Sequence, residues 1–175
     1  GSEGEGIGNG RAAAILLARA GARVLVIDRF GDLAQNTVDM IADEGGEAVA
    51  QEADLGVEEA CRSVVASANE KFGRLDVLDN NVGISSKGSV IDESQKEWAK
   101  VMRVNVESVF LMSKYAVPAM IQSGNGGAIV NIASTAAIRP RGMTAYSTSK
   151  GAMMSLTKSM AVDHGADGVH VNCIL

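Results

Sequence analysis

The sequence predicts an α/β fold: a doubly wound parallel sheet with helices on both faces, in three layers. Amphipathic helical segments and short, mainly apolar strand segments alternate along its 175 residues. Strands that read as continuous apolar runs are buried on both faces, as in parallel sheets covered by helices. The 20 glycines and only 2 prolines suit many tight turns between strands and helices.

The elements follow one another without a linker or an internal repeat, so we predict a single domain over residues 1–175. The predicted helices are residues 11–20, 32–44, 57–72 and 94–121, and a last one that starts at the N-cap Thr144 and ends at Gly165. The predicted strands are residues 24–27, 47–50, 75–78, 128–132 and 169–174. Region 94–121 reads either as one long helix or as two helices that meet near Val104 and Asn105.

Composition excludes several classes of function. A hydrophobic fraction of 46% with 21% charged residues is enough for one sizeable core. The net charge of −5, without a basic stripe, argues against a nucleic-acid partner, and no apolar run is long enough for a membrane span. Cys61 and Cys173 are far apart and show no metal-ligand spacing, so we expect no metal site, two buried free thiols and a cytoplasmic location.

Tyr146 and Lys150 are the strongest candidates for catalysis. Four residues apart on a helix, their side chains share one face, and Tyr146 falls in the first turn. A free phenol has a pKa near ~10, but a lysine ammonium and the positive end of the helix dipole both favour the phenolate. The pair is therefore a candidate general acid/base, although a tyrosine at this position can also simply cap the edge of a core.

Polar residues stand where predicted strands end. Asp28, Asp54, Asn81 and Ser134 each follow a predicted strand. In sheets of this kind ligands bind beyond the carboxyl ends of the strands, so we expect these residues at the binding edge. A hydroxyl such as that of Ser134 can point at a substrate oxygen there.

A glycine-rich loop precedes the first helix. Gly4, Gly6 and Gly8 let the backbone approach a pyrophosphate, whose charge the helix start favours, although such a loop is also found in simple turns. Asp28 lies twenty residues after Gly8, where a carboxylate can bind the adenosine ribose hydroxyls and repel the 2′-phosphate of NADP. Arg29 either softens that repulsion or lies in solvent. We predict NAD as the cofactor, with NADP less favoured.

A set of motifs occurs in a fixed order: Gly6-Ile7-Gly8, Asn80-Asn81-Val82-Gly83, Asn105, Ser134 and Tyr146-x-x-x-Lys150. No single motif is specific, but the ordered set resembles the short-chain dehydrogenase/reductase family across essentially all 175 residues. The resemblance implies a Rossmann-like fold that binds NAD or NADP.

The resemblance also implies a role for each residue. Tyr146 would exchange a proton with the substrate oxygen, and Lys150 would lower the pKa of Tyr146 and hold the nicotinamide ribose. Ser134 would orient the substrate oxygen, and Asn105 would support a water in a proton relay, unless it is only a kink residue. We interpret Asn80 as structural. The implied cofactor contacts are Gly6, Ile7, Gly8, Asp28, Asp54, Leu55, Asn81, Gly83, Tyr146 and Lys150.

The chain departs from the family pattern in three respects. The family begins with a strand before the glycine loop and continues beyond Leu175 with a substrate region, so we interpret the sequence as an internal fragment. The interval from Ser134 to Tyr146 is twelve residues, where the family usually has thirteen. Asp79 stands at an apolar strand position, where an unpaired buried carboxylate is costly.

These observations predict an oxidoreductase that transfers a hydride between NAD and a secondary alcohol or ketone, with the tyrosine as general acid/base. Two alternatives remain open: an NADP-dependent carbonyl reductase, and a nucleotide-binding fragment or pseudoenzyme without turnover. We also expect a homodimer or homotetramer of the whole protein, because the helix after Asn105 and the Tyr146 helix carry many apolar residues. The alternative is that these residues form one broad core face. They are Val109, Phe110, Met112, Val117, Met153, Met154, Leu156 and Met160.

Overall fold

The structure, a computed structural model, describes residues 7–175. The helices are α1 (Asn9–Arg19), α2 (Gly31–Asp43), α3 (Glu58–Phe72), α4 (Gln95–Met102), α5 (Ser108–Gln122) and α6 (Thr144–His164). The strands are β1 (Val24–Asp28), β2 (Ala48–Glu52), β3 (Val77–Asn80), β4 (Gly127–Ile132) and β5 (Val169–Ile174). The predicted Gly4 and Gly6 contacts lie outside the described residues.

The chain divides into two compact units, the first ending at Asp54 and the second starting at Leu55. In the first unit β1 and β2 pair in parallel, which places Asp28 opposite Glu52 at the carboxyl ends of both strands. Helices α1 and α2 pack beside this pair around a small apolar core. Its buried members are Ile15, Ala18 and Ile41.

The second unit contains a parallel sheet in the order β3-β4-β5. Helix α3 packs against α5, and α6 packs along β5. A buried cluster of Val109, Ala133 and Met153 joins α5, the end of β4 and α6. Parallel strands covered by helices confirm the predicted α/β class, since a parallel sheet needs a helix or loop to return the chain.

The region predicted as one or two helices consists of two. A π-helical turn, Arg103–Glu107, joins α4 and α5 and contains Asn105. Turns of this type are frequent at functional sites. Ser94 accepts a hydrogen bond from the Glu97 N–H and so caps the start of α4.

Two predicted boundaries are wrong. The third strand runs Val77–Asn80 rather than over residues 75–78, because its register is set by the partner strand, with Val77 opposite Ala128. Thr144 is the first residue of α6 rather than its N-cap, which is Met143. A local pattern cannot show either boundary because both depend on distant partners.

Most apolar residues that suggested a subunit interface are buried within this chain. Val109, Met112, Val117, Met153 and Met160 belong to its core. Phe110 is 49% exposed, while Met154 and Leu156 are half-buried. The structure therefore favours the alternative of one broad core face for the buried members.

Within residues 7–175 no helix is long and apolar enough to cross a membrane.

Candidate active site

Helix α6 places Tyr146 and Lys150 on the same face, as their spacing predicts. The Lys150 Nζ lies 5.7 Å from the centroid of the Tyr146 ring. Tyr146 is half-buried, whereas Lys150 is only 4% exposed. A cation this close to a phenol in a site with little water interacts with it more strongly than it would in solution.

The ammonium of Lys150 is held by the end of β4. Its Nζ donates a 2.6 Å hydrogen bond to the main-chain oxygen of Ile132, the last residue of that strand. Burial lowers the pKa of Lys150 from its ordinary value, and the nearby Cys173 opposes this weakly. The Ile132 carbonyl favours the charged form because it accepts a hydrogen bond that the ammonium donates.

Asn105 is fully buried, and both the oxygen and the nitrogen of its side-chain amide form hydrogen bonds. Its Oδ1 accepts from the Ile84 N–H at 2.8 Å, and its Nδ2 donates to the Ile84 oxygen at 2.9 Å. Nδ2 also donates to Ser149 Oγ at 2.9 Å, and that hydroxyl donates to the Tyr146 main-chain oxygen at 2.7 Å. Asn105 thus ties residue 84 to the helix of the candidate tyrosine.

Sequence reasoning missed Ser149. A signal for it exists, because a serine in a helix commonly bonds the carbonyl three or four residues before it, and Tyr146 stands three before. The link to Asn105 has no such signal, since 44 residues separate the two side chains.

Ser134 lies beyond the end of β4, as predicted, and is half-buried. Its Oγ accepts a 3.1 Å bond from the Ala136 N–H and caps the short 3-10 turn Thr135–Ala137. This bond leaves the hydroxyl hydrogen available to a substrate oxygen. Within the described residues Ser134 makes no hydrogen bond to Tyr146, so the structure does not join these two side chains directly.

Gly83 lies beside the side chains of Lys150 and Asn105 in the second unit. A Cβ built on it would lie 3.4 Å from Lys150 Nζ and 3.4 Å from Asn105 Oδ1. A side chain there would fill the space next to the ammonium, which glycine leaves open. Gly83 itself is exposed, and its role as a cofactor contact stays a prediction.

Asn81 follows β3 directly and donates from Nδ2 to Asp79 Oδ2 at 3.1 Å. The other oxygen of Asp79 is buried and has no hydrogen-bond partner among residues 7–175. Burial, opposed only by the Asn81 bond, raises the pKa of Asp79 from its ordinary value. Burial thus disfavours the charged form of Asp79, as expected for a carboxylate at this strand position.

Asn80 is buried and supports a structural interpretation. Its Nδ2 donates to Asn131 Oδ1 at 2.9 Å, and Asn131 Nδ2 donates to Thr157 Oγ1 at 2.9 Å. The chain of amides connects β3 through β4 to α6. It satisfies polar groups that would otherwise be costly to bury.

In the first unit the start of α1 is the candidate anion site. Gly8 is its N-cap and has no side chain to cap it, and the first turn contains no acidic residue. Ile7 beside it is 60% exposed. Unpaired N–H groups at a helix start, with the positive end of the dipole, suit a pyrophosphate.

Asp28 ends β1, as predicted, and its Oδ1 accepts from the Phe30 N–H at 3.0 Å. The guanidinium of Arg29 lies over the Phe30 ring, 4.7 Å from its centroid. Glu52, opposite Asp28, accepts from the Gly31 N–H at 3.1 Å and so caps α2. A carboxylate and an exposed guanidinium are therefore neighbours at this strand end.

Asp54 and Leu55 follow β2 and are half-buried. The Leu55 main-chain oxygen accepts a 3.2 Å bond from the thiol of Cys61. Cys61 is buried, as expected, but Cys173 is only half-buried, since it lies near the end of β5. Within residues 7–175 no group of His, Cys, Asp and Glu side chains is arranged to hold a metal ion.

Comparisons with known proteins agree with the motifs. The family model of short chain dehydrogenases matches residues 3–175. The chain is 41% identical over 173 residues to an uncharacterized oxidoreductase of Thermotoga maritima, a match that covers 98% of this chain and 67% of that protein. It is 36% identical over 174 residues to meso-2,3-butanediol dehydrogenase of Serratia marcescens, with the same coverage of 98% and 67%.

A solved structure shares the fold. The crystal structure of a short-chain type dehydrogenase/reductase from Mycobacterium marinum superposes with a TM-score of 0.92 at 33% sequence identity. The match covers 95% of this chain and 69% of that one. The chain thus spans about two thirds of the length of the relatives it matches.

Proposed function

The chain belongs to the short-chain dehydrogenase family, and on that basis we propose that the whole protein transfers a hydride between NAD and a secondary alcohol or ketone. The observation that carries the proposal is the arrangement on α6, where the buried Lys150 ammonium lies beside the Tyr146 ring and next to Gly83. Meso-2,3-butanediol is a secondary alcohol, so the name of the Serratia relative supports this substrate class.

In this mechanism Tyr146 is the general acid/base. Its phenol gives a proton to the oxygen of a ketone, and its phenolate takes the proton from the hydroxyl of an alcohol. The Lys150 ammonium stabilises negative charge on the phenolate, and burial makes this interaction stronger than in water. The nicotinamide, when bound, supplies or accepts the hydride.

Ser134 and Asn105 support that step in different ways. The hydroxyl hydrogen of Ser134 is oriented by the bond that its oxygen accepts from Ala136, and we assign it to the substrate oxygen. The side chain of Asn105 holds Ile84, next to Gly83, against α6. A water relay at Asn105 stays a prediction.

NAD is the preferred cofactor in this proposal because Asp28 ends β1 with a carboxylate. A carboxylate binds the two ribose hydroxyls of NAD and repels the 2′-phosphate of NADP. The second candidate is an NADP-dependent carbonyl reductase. It is supported by the exposed Arg29, whose guanidinium is the kind of group that binds phosphate.

Turnover by the whole protein tests the reaction. Purified protein should reduce NAD in the presence of secondary alcohols, and Tyr146→Phe should lower kcat by about 100- to 10,000-fold, because a general acid/base contributes that much. The Kd for NAD should stay within about twofold, since the ring still packs. Tyr115→Phe is the matched control because Tyr115 bonds Glu58, away from α6, and it should keep kcat. Full activity of Tyr146→Phe would reject the mechanism.

Titration of both cofactors tests the choice of NAD. The wild-type protein should bind NAD more tightly than NADP, and Asp28→Asn should reduce that preference by about tenfold because it removes the repelling charge. Glu52→Gln is the matched control on the paired strand, since it keeps an acceptor for the Gly31 N–H. Tighter binding of NADP by the wild-type protein would mean that Arg29 dominates.

The pseudoenzyme alternative is disfavoured because every residue of the expected catalytic set is present and Lys150, Asn105 and Tyr146 come together on one unit. A cytoplasmic location and a homodimeric or homotetrameric assembly stay predictions. Of the eight apolar residues that suggested an assembly, Phe110 is the one that is exposed, so it is the residue that still supports this prediction.

A further inference from the structure

The start of α6 has no cap of its own. A helix leaves its first N–H groups without partners inside the helix, and the N-cap side chain usually accepts from the second or third helical residue. Here the N-cap is Met143, whose side chain makes no such bond. The helix that carries Tyr146 therefore needs acceptors from elsewhere.

One distant segment supplies those acceptors. Residues 86–93, here called the capping segment, lie between β3 and α4. The Gly88 oxygen accepts from the Thr144 N–H at 3.1 Å. Glu93 Oε2 accepts from the Ala145 N–H at 3.3 Å, and Ser86 Oγ accepts from the N–H of Tyr146 itself at 3.2 Å. The first three amides of α6 are thus bound by three residues of this segment.

The capping segment makes further hydrogen bonds besides those to the three amides. The Gly88 N–H donates to the Gly142 oxygen at 2.9 Å, just before α6 begins. Asp92 Oδ2 accepts from both the N–H and the hydroxyl of Ser89, which closes a turn within the segment. Ser86 is only 8% exposed, so water does not readily replace it as the acceptor. A segment fixed in this way can determine where the first turn of α6 lies.

We propose that Ser86 and Glu93 are positioning residues for the catalytic tyrosine. They hold the main chain at Ala145 and Tyr146, and the direction of a helical side chain follows from its main chain. The position of the phenol relative to a substrate oxygen thus depends on two side chains of the capping segment, which lies outside α6. This inference rests on the proposed function of Tyr146.

The experiment compares Ser86→Ala with Ser94→Ala in the whole protein. Both serines accept a first-turn N–H of a helix, at 3.2 and 3.1 Å, but Ser94 caps α4, which has no catalytic candidate. Both variants should lower Tm to a similar extent. Ser86→Ala should also lower kcat by about 10- to 100-fold, because small misplacement of a reacting group has effects of that size. The Kd for NAD should not change.

Two further readouts separate positioning from general damage. Amide hydrogen exchange in the first turn of α6 should become faster in Ser86→Ala and stay unchanged in Ser94→Ala. Glu93→Gln, which keeps an acceptor for Ala145, should retain kcat within about twofold, whereas Glu93→Ala should lower it several-fold.

Unchanged kcat in Ser86→Ala, or an equal loss of kcat in Ser94→Ala, would overturn the inference. A wild-type protein without turnover on any secondary alcohol or ketone would instead reject the proposed function. An active wild-type protein with an active Ser86→Ala variant would reject only the positioning role.

Discussion

The starts of α1 and α6 differ in what satisfies their first N–H groups. Helix α1 begins after Gly8, and within the described residues no side chain caps it and no acidic residue stands in its first turn. Helix α6 is capped by Ser86, Gly88 and Glu93. An uncapped start retains donors for an anionic ligand, whereas a capped start fixes the residues of its first turn. This difference supports two proposals, that the start of α1 binds the pyrophosphate and that the start of α6 positions Tyr146.

The two units also differ in where they bury charge. In the first unit Asp28 and Arg29 lie at a strand end that solvent reaches. In the second unit Lys150 is almost fully buried, and one oxygen of Asp79 is buried without a hydrogen-bond partner in the described part of the chain. Burial lowers the pKa of Lys150 and raises the pKa of Asp79, so both groups are disfavoured in their charged forms. Substitution of each group tests whether its charge serves chemistry or only lowers stability.

Lys150→Met should have the largest effect. It removes the ammonium beside Tyr146 and next to Gly83, so we expect kcat to fall by at least about 100-fold and NAD binding to weaken as well. Lys158→Met, at an exposed position of the same helix, is the matched control and should change neither quantity. Steady-state kinetics and NAD titration measure both. A normal kcat in Lys150→Met would show that the buried charge of Lys150 does not contribute to catalysis.

Gly8→Asp fills the open start of α1 and should have the next largest effect. The extended backbone at Gly8 suits an aspartate N-cap, so stability should rise by a few tenths of a kcal/mol. Its carboxylate would repel a pyrophosphate, and NAD binding should weaken by at least about tenfold.

Gly8→Ser is the control for that variant because it adds a cap without charge. It should weaken NAD binding less than Gly8→Asp does. Equal NAD affinity in Gly8→Asp and the wild-type protein, measured by calorimetry, would show that the start of α1 does not bind the pyrophosphate.

Asp79→Leu should have the smallest effect, on stability alone. Because its pKa is raised in the folded state, the folded protein binds the Asp79 proton more tightly, and stability falls as pH rises through the range between the two pKa values. The carboxylate is therefore destabilising at neutral pH and harmless below its unfolded pKa of about 3.9. Asp79→Leu should raise the free energy of unfolding by ~1 kcal/mol at pH 7, the lower end for an unpaired buried group.

The pH dependence of the stability gain distinguishes removal of the charge from better packing as its cause. Urea unfolding should show the advantage of Asp79→Leu shrinking as pH falls below about 4. Asp76→Asn is the control, since Asp76 is exposed and pairs with Arg74, and it should change stability by less than about 1 kcal/mol at pH 7. A gain in Asp79→Leu that is independent of pH would point to packing instead of the charge.

Local patterns determined the alternation of elements and the spacing of the catalytic pair. Gly21 and Gly73 directly follow the predicted helices 11–20 and 57–72, and both adopt positive φ, at 92° and 78°, which other residues rarely do. The four-residue step from Tyr146 to Lys150 required only the period of a helix. The strand ends at Asp28 and near Ser134 were likewise predicted from apolar runs that stop. These features depend on interactions between residues close in sequence, so the sequence alone is sufficient to predict them.

Tertiary structure alone decided what surrounds the candidate catalytic pair, Tyr146 and Lys150. Ser86 and Glu93 cap α6 from 60 and 52 residues away, and Asn105 reaches Ser149 over 44 residues. The Ile132 carbonyl that holds Lys150 comes from a strand 18 residues earlier. The start of β3 at Val77 was missed for the same reason, since its partner Ala128 sets the register. A hydrogen bond between distant residues leaves no periodicity in either segment, because its partners are brought together only when the helices pack on the sheet.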